Sequence, residues 1–457
     1  MMHIPEINLP ELPCDVLQRA SDALQLCSQN PIPEKNFPYP YIAPGGAYGT
    51  MWWQLDFSIA LTGMRYLDYD FCRNGILNFV TAQKENGRIP LWGKDRLPEY
   101  NGERLQREEV SCLPKLFDAA WKIASSTGDR EFIEQILDLT VKYLRWFQAA
   151  RYDSRTGLFS AVFEETFIPH IGFAGEYAPV DLNTELLYGF LCTAKIARFC
   201  GKENLAEDLS RQAENLRQAI HDRLWNSQDK IFSGLMLHDD TFNTVRMASA
   251  FAALRCGIAD EEQKQALLRL LTDPERFNWK NRPVSSVDMT DTAFAAITTQ
   301  RYIGNPCWSG NVWTLINENT VRGLRDCGKN TLAAELAVET IKLFSNNFHE
   351  FYNPLTGDPG GVKKYAWSAG NCVDMLFSIL FGIEFNAWEN KIVIAPSFPQ
   401  SWRGKSMTAN NLHLPDGKTA SIEVNCAETV KIKADIKMTD SCVKSYCGEN
   451  TLQIYFV

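Results

Sequence analysis

The chain has 457 residues, 45% of them hydrophobic and 22% charged, which is the range of an ordinary globular protein and enough for one large domain plus a small one. Its net charge is −9 with no basic tract. Nucleic acid and anionic membrane are therefore disfavoured as partners, and a neutral ligand suits the balance better.

The start, MMHIPEINLPELP, has neither the charged region nor the apolar region of a signal peptide, and no apolar run reaches membrane-spanning length. Helical periodicity then dominates from about residue 14 to 383, in about twelve segments: 14–29, 50–64, 67–85, 109–127, 130–151, 179–201, 203–224, 243–256, 260–272, 309–327, 329–347 and 366–382. In 130–148, Ile133, Leu137, Val141 and Leu144 recur at helical spacing behind Asp129 as N-cap; in 329–345, Ala333, Leu336, Ala337, Ile341 and Phe344 form one stripe with Asn330 as cap. Short links such as SSTGD (125–129) and CGK (200–202) alternate with long ones at 152–178 and 273–308. That alternation predicts six helical hairpins closed into an (α/α)6 toroid over residues 1–384, with short turns on one rim and functional loops on the other. An irregular bundle is the alternative. Near residue 385 the pattern changes to period two, in KIVIAPS (391–397), ASIEVN (420–425) and TVKIKADI (429–436), with a turn at Pro415-Asp416-Gly417. Residues 385–457 are expected to form a small antiparallel, β-sandwich-like domain.

The thirteen cysteines form no CxxC pair, and most lie in apolar helical stretches (Cys192, Cys200, Cys256, Cys327, Cys372), where a thiol acts as a small hydrophobe. A reducing, cytoplasmic setting is expected. No paired histidines at helical spacing and no acidic calcium-type loop occur, so neither metal nor cofactor is expected.

Four loop segments have the chemistry of a sugar site. FHEFYNPLTG (348–357) sets Glu350 among His349, Phe351 and Tyr352, an ionisable oxygen beside flat apolar faces. APGGAYGTMWWQLDF (43–57) offers Trp52, Trp53, Gln54 and Asp56; NPCWSGNVW (305–313) offers Trp308, Gly310 and Trp313; KKYAWSAG (363–370) offers Trp367. Indole faces stack on sugar C–H groups, and Gln or Asp takes paired hydroxyls. Trp92 is a further candidate for substrate contact. Each of these residues alone fits core packing or a solvated helix end better than a sugar site; it is their occurrence together at helix starts behind long loops that favours the site.

Taken in order, these segments resemble the six-hairpin glycoside hydrolases that include mannosylglycerate hydrolase, processing α-glucosidase and trehalase. PGGAYGTMWWQLDF is similar to PGGRFxExYxWDxY, FVTAQKENGRIP (79–90) to the segment after the first hairpin, SCLP (111–114) to SQPP and VDLNTELLYG (180–189) to VDLNALLY. NPCWSGNVWTLINENTVRGL resembles YWRGPIWPxxNxLxxxGL, and FHEFYNPLTGD resembles the base-bearing EYYNPETGE. The resemblance covers roughly residues 40–382. It implies an inverting, exo-acting hydrolase of a small α-linked glycoside, with Glu350 as general base and an acid about 6.5–9.5 Å away. The acid loop departs from the pattern: GLFSAVFEETFIPHIGF (157–173) has no Asp, and its carboxyls are Glu164 and Glu165 ahead of Pro169 and His170. Matching on the proline puts Glu165 nearest the acid position, while Glu164 stays open. Gln54 stands where the family often has Asp, which leaves the sugar specificity open. Asp181 is expected to cap the helix near 180, and Asp288 in VSSVDMTD to line a subsite at most. The alternatives are a non-catalytic carbohydrate-binding protein on the same fold, or a sugar epimerase or polysaccharide lyase. His349 and His170 are the only histidines in candidate rim loops, and the rim motifs are short of Arg. The partner expected is a small oligosaccharide or glycoside; the oligomeric state is left open.

Overall fold

The computed structural model describes residues 2–93, 99–100, 103–104, 110–167, 176–279, 281–296, 308–417, 419–427, 430–437, 443–448 and 451–456. Pro169, His170 and the segment 305–307 lie outside them. Eleven α-helices are described: α1 Val16–Cys27, α2 Gln54–Met64, α3 Tyr69–Ala82, α4 Leu116–Ala124, α5 Arg130–Arg151, α6 Val180–Phe199, α7 Glu203–Leu224, α8 Glu261–Leu271, α9 Thr314–Asp326, α10 Asn330–Phe344 and α11 Ala366–Asp374. The π-turn Met375–Leu380 prolongs α11, and a 3₁₀ segment, Ala248–Leu254, stands where the sequence predicts a twelfth helix.

The helices divide by burial. α7 buries one stripe, Ala206, Leu209, Ala213, Leu216, Ile220 and Leu224, at spacings of three and four; it is an outer helix with a solvated back. α2 buries all eleven of its residues, so it has no solvent face and is an inner helix. The inner elements close a ring in which α2 packs on α4, α4 on α6, α6 on the 3₁₀ segment, that segment on α9, α9 on α11 and α11 on α2. This is an (α/α)6 toroid.

Within 243–256 the stretch Met247–Leu254 is apolar apart from Ser249 rather than periodic, and such a run does not separate a helix from other buried structure. Met247 is extended and bridges to Val287, and Arg255 is extended again, so only seven residues remain to coil. Asp129 caps α5 by accepting from the Phe132 amide. Asn330 does not cap α10; it is the first helical residue, and Lys329 precedes it without a side-chain cap bond.

Among the described residues the β-structure comprises six two-stranded ribbons and two four-stranded antiparallel sheets. One runs Glu6–Asn8, Ser406–His413, Thr419–Asn425, Lys431–Lys437; the other runs Ile383–Asn386, Lys391–Ile394, Thr451–Phe456, Val443–Gly448. The first recruits the N-terminal strand, so the division at 384/385 leaves out one strand of that sheet. Trp388 docks the second sheet on the toroid, its indole N–H reaching the carbonyls of Ala124 (3.1 Å) and Thr127 (3.0 Å). Among the described residues no helix is long and apolar enough to cross a membrane, and no cluster of metal-ligand side chains occurs.

Candidate active site

The inner helices set their N-termini on one rim. FHEFYNPLTG enters that rim from the end of α10 and folds as a hairpin, Phe351–Tyr352 pairing with Pro359–Gly360. Asn353 closes the turn by accepting from the amides of Leu355 and Thr356. Glu350 sits at the hairpin edge, 7% exposed, with its amide on the Val362 carbonyl. Its carboxylate accepts from the Tyr48 hydroxyl at 2.9 Å and from the Val362 amide at 3.1 Å. Gly361, at φ +67°, leaves the space; a Cβ there would overlap the Glu350 carboxylate. Donors hold this oxygen pair in an orientation that suits a base.

Two further carboxyls share the field of Glu350. Asp56, in the first turn of α2, is 3% exposed, and its Oδ1 has no hydrogen-bond partner. Burial pushes its carboxyl up to about 7; a hydrogen bond from Tyr365 opposes the rise and the charge of Glu350 adds to it. Glu164 lies half-buried on the 3₁₀ turn Phe163–Glu165. Burial raises it to about 8, with Asp56 and then Glu350 as the neighbouring charges. A carboxyl kept protonated near neutral pH can donate a proton.

Glu165, the neighbour that matching on the proline favours, points elsewhere. It is fully buried, and both oxygens are occupied by Arg151 Nε (2.7 Å) and Nη2 (2.9 Å) and by the amides of Ser111 and Val162 (both 3.0 Å). With every lone-pair direction taken up by strong donors, it is an acceptor in an ion pair rather than a free acid. Gln54 likewise turns into the core, donating to the Tyr143 hydroxyl (2.9 Å) and accepting from Ser111 Oγ (3.0 Å). This corrects the expectation that it binds sugar hydroxyls.

The aromatics also divide. Trp53 and Trp92 are half-buried and meet edge to face at 4.4 Å, with Tyr48 5.7 Å from Trp53. Trp308 is half-buried and stacks on Trp313 at 3.6 Å. Trp313 is fully buried, so it backs the site and offers no free face to a sugar. Trp52 stacks on Phe37 at 4.4 Å and belongs to the core. Trp367, 3% exposed, packs edge-on to Tyr365 at 4.9 Å, and its indole N–H, like that of Trp53, has no partner. Tyr352 is buried against Phe344, which lifts its hydroxyl to about 12. His349 is half-buried with Nδ1 unpartnered and its pKa lowered by burial and Lys363. Gly310 admits the 294–296 segment; a Cβ would lie 2.8 Å from the Phe294 ring.

Asp181 holds the loop ahead of α6, accepting from Thr166 Oγ1 at 2.9 Å and from the Phe167 amide, rather than capping the helix, whose N-cap is Pro179. Asp288 is buried in an ion pair with Arg246 and Arg276, both at 2.9 Å, so it lines no subsite. Tyr48, Tyr365 and Arg151 were not among the sequence candidates. Tyr48 had a signal as the lone hydroxyl-bearing ring in the Gly-rich AYG turn, and Tyr365 lies in the KKYAWSAG segment; Arg151 had none.

Residues 49–166 and 169–368 match the family of mannosylglycerate hydrolase MGH1-like glycoside hydrolase domains. The chain belongs to this family. An uncharacterised protein of Borreliella burgdorferi is 22% identical over 327 residues, 68% of this chain and 66% of that one. The mannosylglycerate hydrolase of Rubrobacter radiotolerans is 27% identical over 209 residues, 44% of this chain and 45% of that one. The sequence matches thus span less than two thirds of these relatives' own length. Among solved structures, the GH63 mannosylglycerate hydrolase of Thermus thermophilus in complex with glucose superposes with a TM-score of 0.65 at 18% identity, covering 79% of this chain and 99% of that one. Within the MGH1-like family the (α/α)6 fold of this chain is accounted for, and its rim carries Glu350, Glu164 and Asp56 together.

Proposed function

We propose that this chain is an inverting, exo-acting hydrolase of a small α-linked glycoside, with Glu350 as general base and Glu164 as general acid. The observation that carries the reading is the unequal treatment of two carboxyls in one field. Glu350 is held by the donors Tyr48 and Val362, while Glu164 is raised to about 8 by burial beside Asp56 and Glu350. Opposed environments of this kind support Glu350 as base and Glu164 as acid. Ionised Glu350 takes a proton from a water that attacks the anomeric carbon. Glu164 gives its proton to the departing oxygen, and the sugar leaves with inverted configuration. The half-buried faces of Trp53, Trp92 and Trp308 are the stacking surfaces for the pyranose. The free Oδ1 of Asp56 and the free indole N–H groups of Trp53 and Trp367 are the hydroxyl partners. The same reading places the protein in the cytoplasm; ten described cysteines are free thiols, seven of them buried.

The likeness to mannosylglycerate hydrolases makes mannosylglycerate the first substrate to try, followed by other α-mannosides and α-glucosides. Proton NMR of the first turnovers is expected to give the β-anomer ahead of mutarotation. Glu350→Gln is expected to lower kcat by about 10²–10⁴-fold, the usual contribution of a positioned base. Turnover at the wild-type rate in that variant, or an α-anomer as first product, would overturn the assignment.

A further inference from the structure

We propose that Arg151 and Glu165 are positioning residues whose ion pair fixes the carboxyl of Glu164 at the site. The proposal rests on Glu164 being the proton donor. Phe163, Glu164 and Glu165 make up a single 3₁₀ turn, so Glu164 can be no better placed than the residues on either side of it. Phe163 has φ +51°, a left-handed conformation that a bulky side chain adopts only when its surroundings impose it. The surroundings are on hand. Glu165 accepts two bonds from Arg151, at 2.7 and 2.9 Å, and two from the amides of Ser111 and Val162, both at 3.0 Å. The Glu164 carbonyl accepts from the Leu113 amide at 2.8 Å. The turn is thereby tied at one end to the last residue of α5 and at the other to the segment that enters α4.

A buried ion pair of this kind is a poor source of stability compared with apolar side chains of the same volume. Its planar, two-pronged geometry is instead a good source of orientation. The guanidinium is itself fixed, lying 5.1 Å over the Trp146 ring, and Arg151 is 5% exposed. The two adjacent glutamates divide the labour: Glu165 anchors inward, and Glu164 is left half-buried in the field of Asp56 and Glu350. A donor displaced by about 1 Å loses its catalytic advantage by roughly 10²-fold. The anchor is thus part of the acid function even though it touches no substrate.

The test separates proton donation from folding by the choice of leaving group. Mannosylglycerate needs its departing oxygen protonated, whereas α-D-mannosyl fluoride leaves with little help. For Arg151→Met and Glu165→Gln, kcat/KM on mannosylglycerate is expected to fall about 100-fold, with the fluoride rate within about threefold of wild type. Arg151→Lys, which keeps the charge without the fork, is expected to lie between. Equal losses on both substrates, or no loss, would overturn the clamp. Glu165→Gln is isosteric and carries the test should Arg151→Met fail to fold. Glu164→Gln serves as reference. If it spares the fluoride while the clamp variants do not, the clamp alone is wrong; if it too loses both equally, the acid assignment falls and the clamp with it.

Discussion

Burial raises Glu164 to about 8 and Asp56 to about 7, and the charge of Asp56 adds to the reluctance of Glu164 to ionise. If Glu164 must hold its proton to act, activity falls as pH rises through about 8. Asp56→Asn removes a neighbouring negative charge, so the alkaline limb of kcat/KM is expected to move to lower pH; a limb that stays in place would detach Asp56 from the acid. The same groups bear on stability. Their folded values lie above the ordinary carboxylate range, so their contribution is complete below about pH 4 and is lost as pH climbs through 7 and 8. At about 1.4 kcal/mol per unit, Asp56→Asn is expected to gain stability of a few kcal/mol at pH 8 and close to none at pH 4, read from urea midpoints. At this scale the sequence is legible in residue type more than in orientation. FHEFYNPLTG marks Glu350 because the hairpin signal and the carboxylate are contiguous. Glu164 and Glu165 differ by one position, and what separates them is Arg151, fourteen residues upstream on another element. No local pattern reports such a contact.

Elements place these residues by how closely their backbones approach. α2 carries Asp56, the Tyr365 that bonds it is the N-cap of α11, and the two helices cross where Gly63 meets Gly370. A Cβ on Gly63 would overlap the Gly370 carbonyl oxygen, and one on Gly370 would lie 2.8 Å from the Ala60 Cα. Backbone cannot swing aside as a side chain can, so Gly370→Ala is expected to cost roughly 1–3 kcal/mol by overpacking. It should also lower kcat more than a loss of folded protein explains, because it shifts Tyr365 relative to Asp56. Denaturant unfolding together with active-site titration separates the two effects. The outer helices, α5 and α7 above all, were legible almost to the residue because each has a wet face and therefore a stripe. Inner elements lack that contrast. This is why the 3₁₀ coil at Ala248–Leu254 read as a helix, and why α4 and α9 begin later than their apolar runs suggest. The pairing of Glu6–Asn8 with Ser406–His413 was also out of reach, since partners some 400 residues apart share no local signal.

The molecule as a whole distributes charge unevenly between the ends of its toroid. At the rim, Asp56 and Glu164 are pushed toward neutrality. Farther down the inner helices, Asp374 of α11 meets Arg65, Lys122 and Arg322 from the end of α2, from α4 and from α9. Lys115, just before α4, joins Glu185 of α6 to Glu318 of α9, both at 3.2 Å. A cavity of about 260 Å³ lined by Arg65, Lys122, Tyr188 and Arg322 opens at this end. Burial would raise the carboxyls here, yet Lys115 and Arg322 hold Glu318 down at about 2, and Lys122 and Arg322 hold Asp118 below the ordinary carboxylate range. The sign is opposite to that at the rim. These depressed groups contribute stability above about pH 4 that is lost as pH falls toward 2. With one set of carboxyls losing stability on the alkaline side and the other on the acid side, Tm is expected to peak near pH 5. Glu318→Gln removes one partner of a buried pair and is expected to cost about 3–5 kcal/mol at pH 6, while making the acid flank of the Tm profile shallower. Asp56→Asn should flatten only the alkaline flank. A profile in which both variants change the same flank would show that the two ends do not titrate separately.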